Sequence, residues 1–252
     1  PESMHMSNEE ILLQVPTFLL AGHETSSTAI AWTLFALSCH PAVQTTLRAE
    51  LRSLRCPTDM PTMHQLNALP YLEGVVREVL CLYAPASATQ RIAMHDAEIP
   101  LRKPFKDNRG ITQSSESIWV SKGNSVSVPI RLLNHSTEIW GEYANEFKPE
   151  GWESIPGAAH ALPDPGVYGH LVTFFAGAHG CISYRFSVVG CVMFMRDRCR
   201  VRCKLVRGFE FEPALPVEGI VRKTSIVGRL VVASNPAAGP QLPLLIWPVN
   251  LD

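Results

Sequence analysis

Apolar residues dominate the first forty positions, with Ile11-Leu12-Leu13 running through Leu20 and Ala29 running through Leu37. Between them lies a polar island, His23-Glu24-Thr25-Ser26-Ser27-Thr28. The pattern predicts one long helix, and a helix apolar nearly all round belongs in a domain's interior. Its start is marked by Ser7-Asn8-Glu9-Glu10, where Ser7 suits the third amide and Glu10 can reach back. Pro41 and Pro70 each suit a first helical turn, which predicts a second helix to Leu54 and a third to Tyr83. Thr62 to Gln65 is a further capping signal between them. After Pro85 the character changes. Short β-leaning pieces (Ala88 to Met94, Ser117 to Val120, Ser125 to Ile130) alternate with turn residues such as Lys122-Gly123-Asn124, predicting small sheets. Pro149 to Tyr168 is rich in Pro and Gly and reads as an irregular ordered loop. A helix is expected after Cys181, then β-hairpin and loop from Phe209 onward.

At 252 residues and 46% hydrophobic content, the chain can bury a real core as one large domain or two small ones. A formal net charge of -1 gives no reason to expect nucleic acid or an acidic membrane surface as a partner. The seven cysteines, Cys39, Cys56, Cys81, Cys181, Cys191, Cys199 and Cys203, are odd in number and irregularly spaced. That argues for a reducing compartment rather than a disulfide scaffold. The chain begins at Pro1, without an initiator methionine or signal sequence, and reads as part of something longer. Gln14, His23 and Glu24 interrupt the best apolar run before it reaches the roughly 18 to 20 residues of a membrane span. The expectation is a soluble chain, attached to a membrane only through a missing N-terminal anchor.

The most specific chemistry lies in Phe174-Phe175-Ala176-Gly177-Ala178-His179-Gly180-Cys181-Ile182-Ser183. This glycine-bracketed loop delivers one thiol to the start of a helical stretch. Helix N-termini lower a thiol's pKa and steady its anion, and Gly177 and Gly180 permit turns that aim amides at sulfur. Phe174 can cover one side of a flat cofactor, so the string suits an axial thiolate to haem iron. It equally suits a buried structural cysteine beside a glycine turn.

Three further strings share the order and rough spacing of one family. Together with the cysteine loop they resemble the C-terminal half of a cytochrome P-450, a haem-thiolate monooxygenase, most closely the fungal type. The resemblance runs from the long helix to Pro248. It implies a mainly α fold with small β-sheets: long distal helix, following helices, β-rich segment, cysteine loop and final helix. Residues 1–84 would form the helical part, 85–148 the small sheets, 149–185 the irregular and haem-thiolate loops, and 186–252 the final helix and C-terminal hairpin.

Ala21-Gly22-His23-Glu24-Thr25-Ser26 looks like the family's oxygen-activation motif. It implies Glu24 as acid and Thr25 as hydroxyl on a helix that opens locally over the haem. Without the family, the same residues read as a solvated polar patch. Glu78-Val79-Leu80-Cys81 stands where the family has Glu-x-x-Arg, and Pro149-Glu150-Gly151-Trp152 where it has a second arginine. Cys81 and Gly151 replace both arginines, so Glu78 is expected to have lost its partners. Breaking such a buried pair costs about 3 to 5 kcal/mol unless the carboxylate takes up a proton. Arg91 matches a propionate-binding position, although it also reads as a solvent-facing strand arginine. His179 replaces another propionate-binding arginine, and Ser183 replaces a glycine packed near the porphyrin.

The resemblance implies a haem-dependent monooxygenase that inserts oxygen into a small hydrophobic substrate. Haem b would be held through the Cys181 thiolate, with Arg91, Phe174, Gly177 and His179 also at the cofactor. NADPH would act only indirectly, through NADPH-cytochrome P-450 reductase, and the full-length family sits at the cytoplasmic face of the endoplasmic reticulum membrane. The alternative is a non-catalytic truncated remnant. It draws on the lost arginines and on Arg196-Asp197-Arg198-Cys199-Arg200-Val201-Arg202-Cys203-Lys204, longer than the family's spacing before Phe209-Glu210-Phe211. That stretch reads either as a damaged or mis-spliced segment or as a surface bulge facing an acidic redox partner. Cys199 and Cys203 would need two more ligands to hold zinc.

Overall fold

The computed structural model describes residues 5–54, 62–161, 166–196 and 205–249. The basic stretch 197–204, with Cys199 and Cys203, lies outside the described residues, as does Cys56. The chain divides into a larger unit, residues 1–87 with 130–252, and a smaller inserted unit, Ala88–Pro129.

Helix α1 spans Asn8–Cys39 and starts on the capping box expected of it. Glu10 N donates to Ser7 Oγ at 3.2 Å, and Ser7 N donates to the Glu10 carboxylate at 2.7 Å. Only the second half of α1 is interior. Thr28, Ala29, Trp32, Thr33, Phe35, Ala36, Leu37 and Ser38 are buried, whereas Leu12, Leu13, Leu19 and Leu20 are 67 to 75% exposed. Expecting the whole helix to be interior is therefore wrong for residues 8–21, which are exposed throughout. An apolar pattern reports what a helix can bury, and burial also needs a covering layer.

Helices α2 (Pro41–Ser53) and α4 (Pro70–Leu82) begin with proline at the first turn, and α3 (Met63–Asn67) carries the Thr62–Gln65 capping box. The N-terminus of α4 is capped from α2. The Glu50 carboxylate accepts from Tyr71 N at 2.9 Å and Leu72 N at 2.8 Å, satisfying amides that the helix leaves unpaired.

The smaller unit is built of two-stranded antiparallel ribbons. Strand β1 (Thr89–Ile92) pairs with β6 (Ser125–Val128), β2 (Ala97–Pro100) with β5 (Ser117–Val120), and β3 (Phe105–Lys106) with β4 (Thr112–Gln113). The chain then returns through α5 (Ile130–Asn134), α6 (Thr137–Trp140), a 3-10 turn at Pro149–Glu153 and α7 (Gly157–His160). Helix α8 (Tyr184–Arg196) follows the cysteine loop. After the short α9 (Leu205–Gly208), β7 (Phe209–Pro213) pairs with β10 (Leu244–Pro248), and β8 (Ile220–Thr224) forms a hairpin with β9 (Gly228–Val232).

The core of the larger unit gathers around α1, α2 and α4. Trp32 stacks on Tyr83 at 4.6 Å and donates its indole N–H to Gly228 O at 2.7 Å, tying α1 to β9. Two buried polar side chains of α2 hold the C-terminal segment. Gln44 exchanges hydrogen bonds with the Phe211 backbone, accepting at 2.9 Å and donating at 3.1 Å. Arg48, 6% exposed, donates to Val206 O at 3.0 Å, Phe209 O at 2.9 Å and Gln44 Oε1 at 3.0 Å.

Arg48→Met keeps the aliphatic stem but removes the donor to the carbonyls of Val206 and Phe209. It should lower the unfolding free energy in urea by about 2 to 3 kcal/mol. A loss below about 0.5 kcal/mol would show that this latch is dispensable.

Candidate functional site

Cys181 is half-buried and free. Its backbone N–H donates to Phe174 O at 2.8 Å, closing the loop that the two glycines bracket. Gly177 has φ +64°, a left-handed conformation that an L side chain resists, and Gly180 N donates to Gly177 O at 3.0 Å. Helix α8 begins three residues after Cys181, and Cys181 O accepts from Tyr184 N at 3.3 Å, so the thiol approaches the helix from its N-terminal end. His179 is exposed at the rim, with Ile182 (90% exposed) and Phe186 (67% exposed) nearby in sequence. Phe174 is buried, its ring against Tyr168 and Tyr184 at centroid distances of 6.0 and 6.2 Å.

The root of this loop is fastened to α4 by residues that sequence reasoning missed. Asn134, fully buried, accepts from Val172 N at 3.3 Å and donates to Thr173 Oγ1 at 2.8 Å and Cys81 O at 3.3 Å. Thr173 in turn donates to Leu80 O at 2.7 Å, and the Cys81 thiol donates to Asn134 O at 3.2 Å. Nothing in the sequence around Asn134 marks it as a hub. Its partners lie 38 to 53 positions away.

The polar island of α1 is helical throughout, so the expected local opening is not present. Thr25 Oγ1 donates to Ala21 O at 2.7 Å, a back-bond within the same helix. The Glu24 carboxylate pairs with the guanidinium of Arg229 on β9. Residues 205 positions apart meet in this pair, and the sequence carries no signal of it. His23, Glu24, Ser27 and Arg229 help to line a cavity of about 340 Å³. Helix α1 also meets α8 beside this island: a Cβ on Gly22 would lie 3.9 Å from the Phe186 ring. Arg91 lies on β1 in the smaller unit, where it donates to Thr89 Oγ1 and Gln90 O, both at 2.8 Å.

Glu78 is 8% exposed and has two hydrogen-bond donors beside it, which corrects the expectation that it stands alone. One carboxylate oxygen accepts from Lys148 N at 2.8 Å, and the other from Trp152 Nε1 at 2.7 Å. Gly74 permits the approach, since a Cβ there would come within 2.7 Å of Pro149 O. Burial pushes the Glu78 carboxyl above the ordinary range, the Lys148 amide and Trp152 indole pull it back, and Glu150 raises it again. Beside it, Arg77 pairs with Glu73 at 2.9 Å and lies against the rings of Trp152 and Tyr168.

The residues fit a haem held through sulfur. The loop offers one half-buried thiol with no hydrogen bond among the described residues, and Gly177 has open space where a Cβ would stand. Among the described residues, no group of three or more His, Cys, Asp or Glu is placed to hold a metal ion.

The fold and loop define a mainly helical, thiol-presenting protein, and comparison with known proteins is more specific. The family model described as Cytochrome P-450 matches residues 1–196. Cytochrome P-450 monooxygenase 205 of Postia placenta is 48% identical over 250 residues, covering 99% of this chain and 44% of the relative. Monooxygenase 128 of the same fungus is 47% identical over 246 residues, covering 98% and 43%. Cytochrome P-450 monooxygenase claW of Ampulloclitocybe clavipes is 37% identical over 245 residues, covering 96% and 43%. The chain belongs to the cytochrome P-450 family and spans less than half the length of these relatives.

Because the folded chain holds the Glu78 proton more tightly than the unfolded one, stability falls as pH rises. The window opens near the ordinary carboxylate value of about 4.3 and closes above the raised folded value. Glu78→Gln removes this component, so its plot of melting temperature against pH should be flatter across that window. Equal slopes for both proteins would place the titration elsewhere.

Proposed function

We propose that this chain is the haem- and oxygen-handling part of a fungal monooxygenase. The observation that carries the reading is the free, half-buried Cys181 thiol at the approach to α8, on a loop closed through Phe174 O and turned at Gly177. In this reading Cys181 is the protein's ligand to the iron, Gly177 shapes the loop, and Phe174 backs it. His179 offers a donor to the propionates, and for Arg91 the same role rests on the family resemblance alone. Bound haem would supply the activation of dioxygen for insertion into a C–H bond, with electrons passed from NADPH by a reductase docked on the cysteine side.

The residues of α1 handle protons. Thr25 contributes the hydroxyl, which rests on Ala21 O, and Glu24 the carboxylate, which Arg229 fixes in place. Releasing either bond frees a group to move a proton along the helix surface. The substrate class is a small hydrophobic molecule, by analogy with the family. No described helix is long and apolar enough to cross a membrane. The full-length protein would reach the cytoplasmic face of the endoplasmic reticulum through a segment outside this chain.

Purified protein reconstituted with haem, reduced and exposed to carbon monoxide should show a thiolate-type Soret band. Cys181→Ser should lose that band while keeping its far-ultraviolet circular dichroism. A native chain without the band would leave the non-catalytic remnant as the correct reading.

A further inference from the structure

Between α4, α6 and the turn at Pro149–Glu153 lies a cavity of about 290 Å³. Its lining combines the Glu78 carboxylate with the aromatic side chains of Trp140, Tyr143 and Trp152, and its floor includes Cys81 and Gly151. Ligand cavities start at roughly 300 Å³, so the space suits a small molecule of a few heavy atoms.

Charge decides what kind. Among the described residues Glu78 forms no ion pair, and its only hydrogen-bond donors are a backbone amide and an indole, both neutral. A carboxylate offers about four lone-pair sites, and these two donors take two. A second carboxylate, Glu150, also lines the space. The aromatic wall already receives a cation at its rim, where Lys148 Nζ lies 3.4 Å from the Tyr143 ring centre while paired with Glu146. A hard metal ion would need several oxygen ligands, which this apolar wall lacks. A planar, weakly hydrated cation suits both surfaces, because its N–H groups can bond a carboxylate while its faces lie against aromatic rings.

We propose that this cavity is a binding site for a small organic monocation of the guanidinium type, held by Glu78 and the aromatic rings of Trp140, Tyr143 and Trp152. The site is separate from the Cys181 loop and does not depend on haem being bound. Gly151 gives it a built-in test, because a Cβ at that position meets nothing within 4 Å. An arginine at this lining position would bring its own guanidinium to the site and compete for it from within.

The test is a titration of the whole chain with methylguanidinium chloride at constant ionic strength, read by tryptophan fluorescence and melting temperature. Urea, uncharged and of similar shape, serves as the control. The expected result is a saturable response to methylguanidinium at millimolar concentration, with no saturable response to urea. Glu78→Gln should weaken the midpoint by about tenfold or more. Gly151→Arg should abolish the response and raise the melting temperature. A linear response, an equal response to urea, or an unchanged midpoint in Glu78→Gln would overturn the proposal. If Glu78→Gln fails to fold, a folded Gly151→Arg that still binds methylguanidinium overturns it alone.

Discussion

The buried carboxylate of Glu78 governs how the centre of the larger unit is assembled. A charge this far from water must be hydrogen-bonded or protonated, and the chain provides the bonds by drawing the Pro149–Glu153 turn onto α4. That contact needs Gly74, because any side chain there would strike the Pro149 carbonyl. Near its C-terminal end α4 accepts from Asn134 and Thr173, which root the cysteine loop on the carbonyls of Cys81 and Leu80. One helix thus connects the carboxylate network to the loop that presents the thiol.

The replacement partners differ in kind from the arginines that the family resemblance led us to expect. An indole and an amide donate hydrogen bonds but bring no positive charge, so the geometry is satisfied while the electrostatics are not. Burial raises the Glu78 pKa, the two neutral donors offset only part of that, and a cavity lies beside Cys81 and Gly151. The carboxylate is not orphaned, which weakens the argument that the chain is simply decayed.

Much of the local structure was legible because it depends on neighbours. The Ser7–Glu10 and Thr62–Gln65 capping boxes, the prolines opening α2 and α4, and the small antiparallel ribbons all follow from residues a few positions apart. The cysteine loop was legible for the same reason. The pairs Glu24–Arg229, Glu78–Trp152 and Arg48–Phe209 were not, because each joins residues brought together only by the completed fold. The exposed first half of α1 was misread on a different ground. Its leucines have the pattern of an interior helix, and the elements described here cover only residues beyond it. The relatives are more than twice as long as the aligned region, so an apolar surface of this kind has a ready place in a larger protein.

The hydrogen bond from Trp152 to Glu78 is tested most directly by the indole N–H resonance of Trp152 in a nitrogen-15 spectrum of the intact chain, followed across pH and compared with Glu78→Gln. A hydrogen bond to a buried carboxylate predicts a downfield, exchange-protected indole signal that shifts as Glu78 titrates and moves upfield in the variant. A Trp152 indole signal that exchanges at solvent rates and is indifferent to Glu78→Gln would contradict the account.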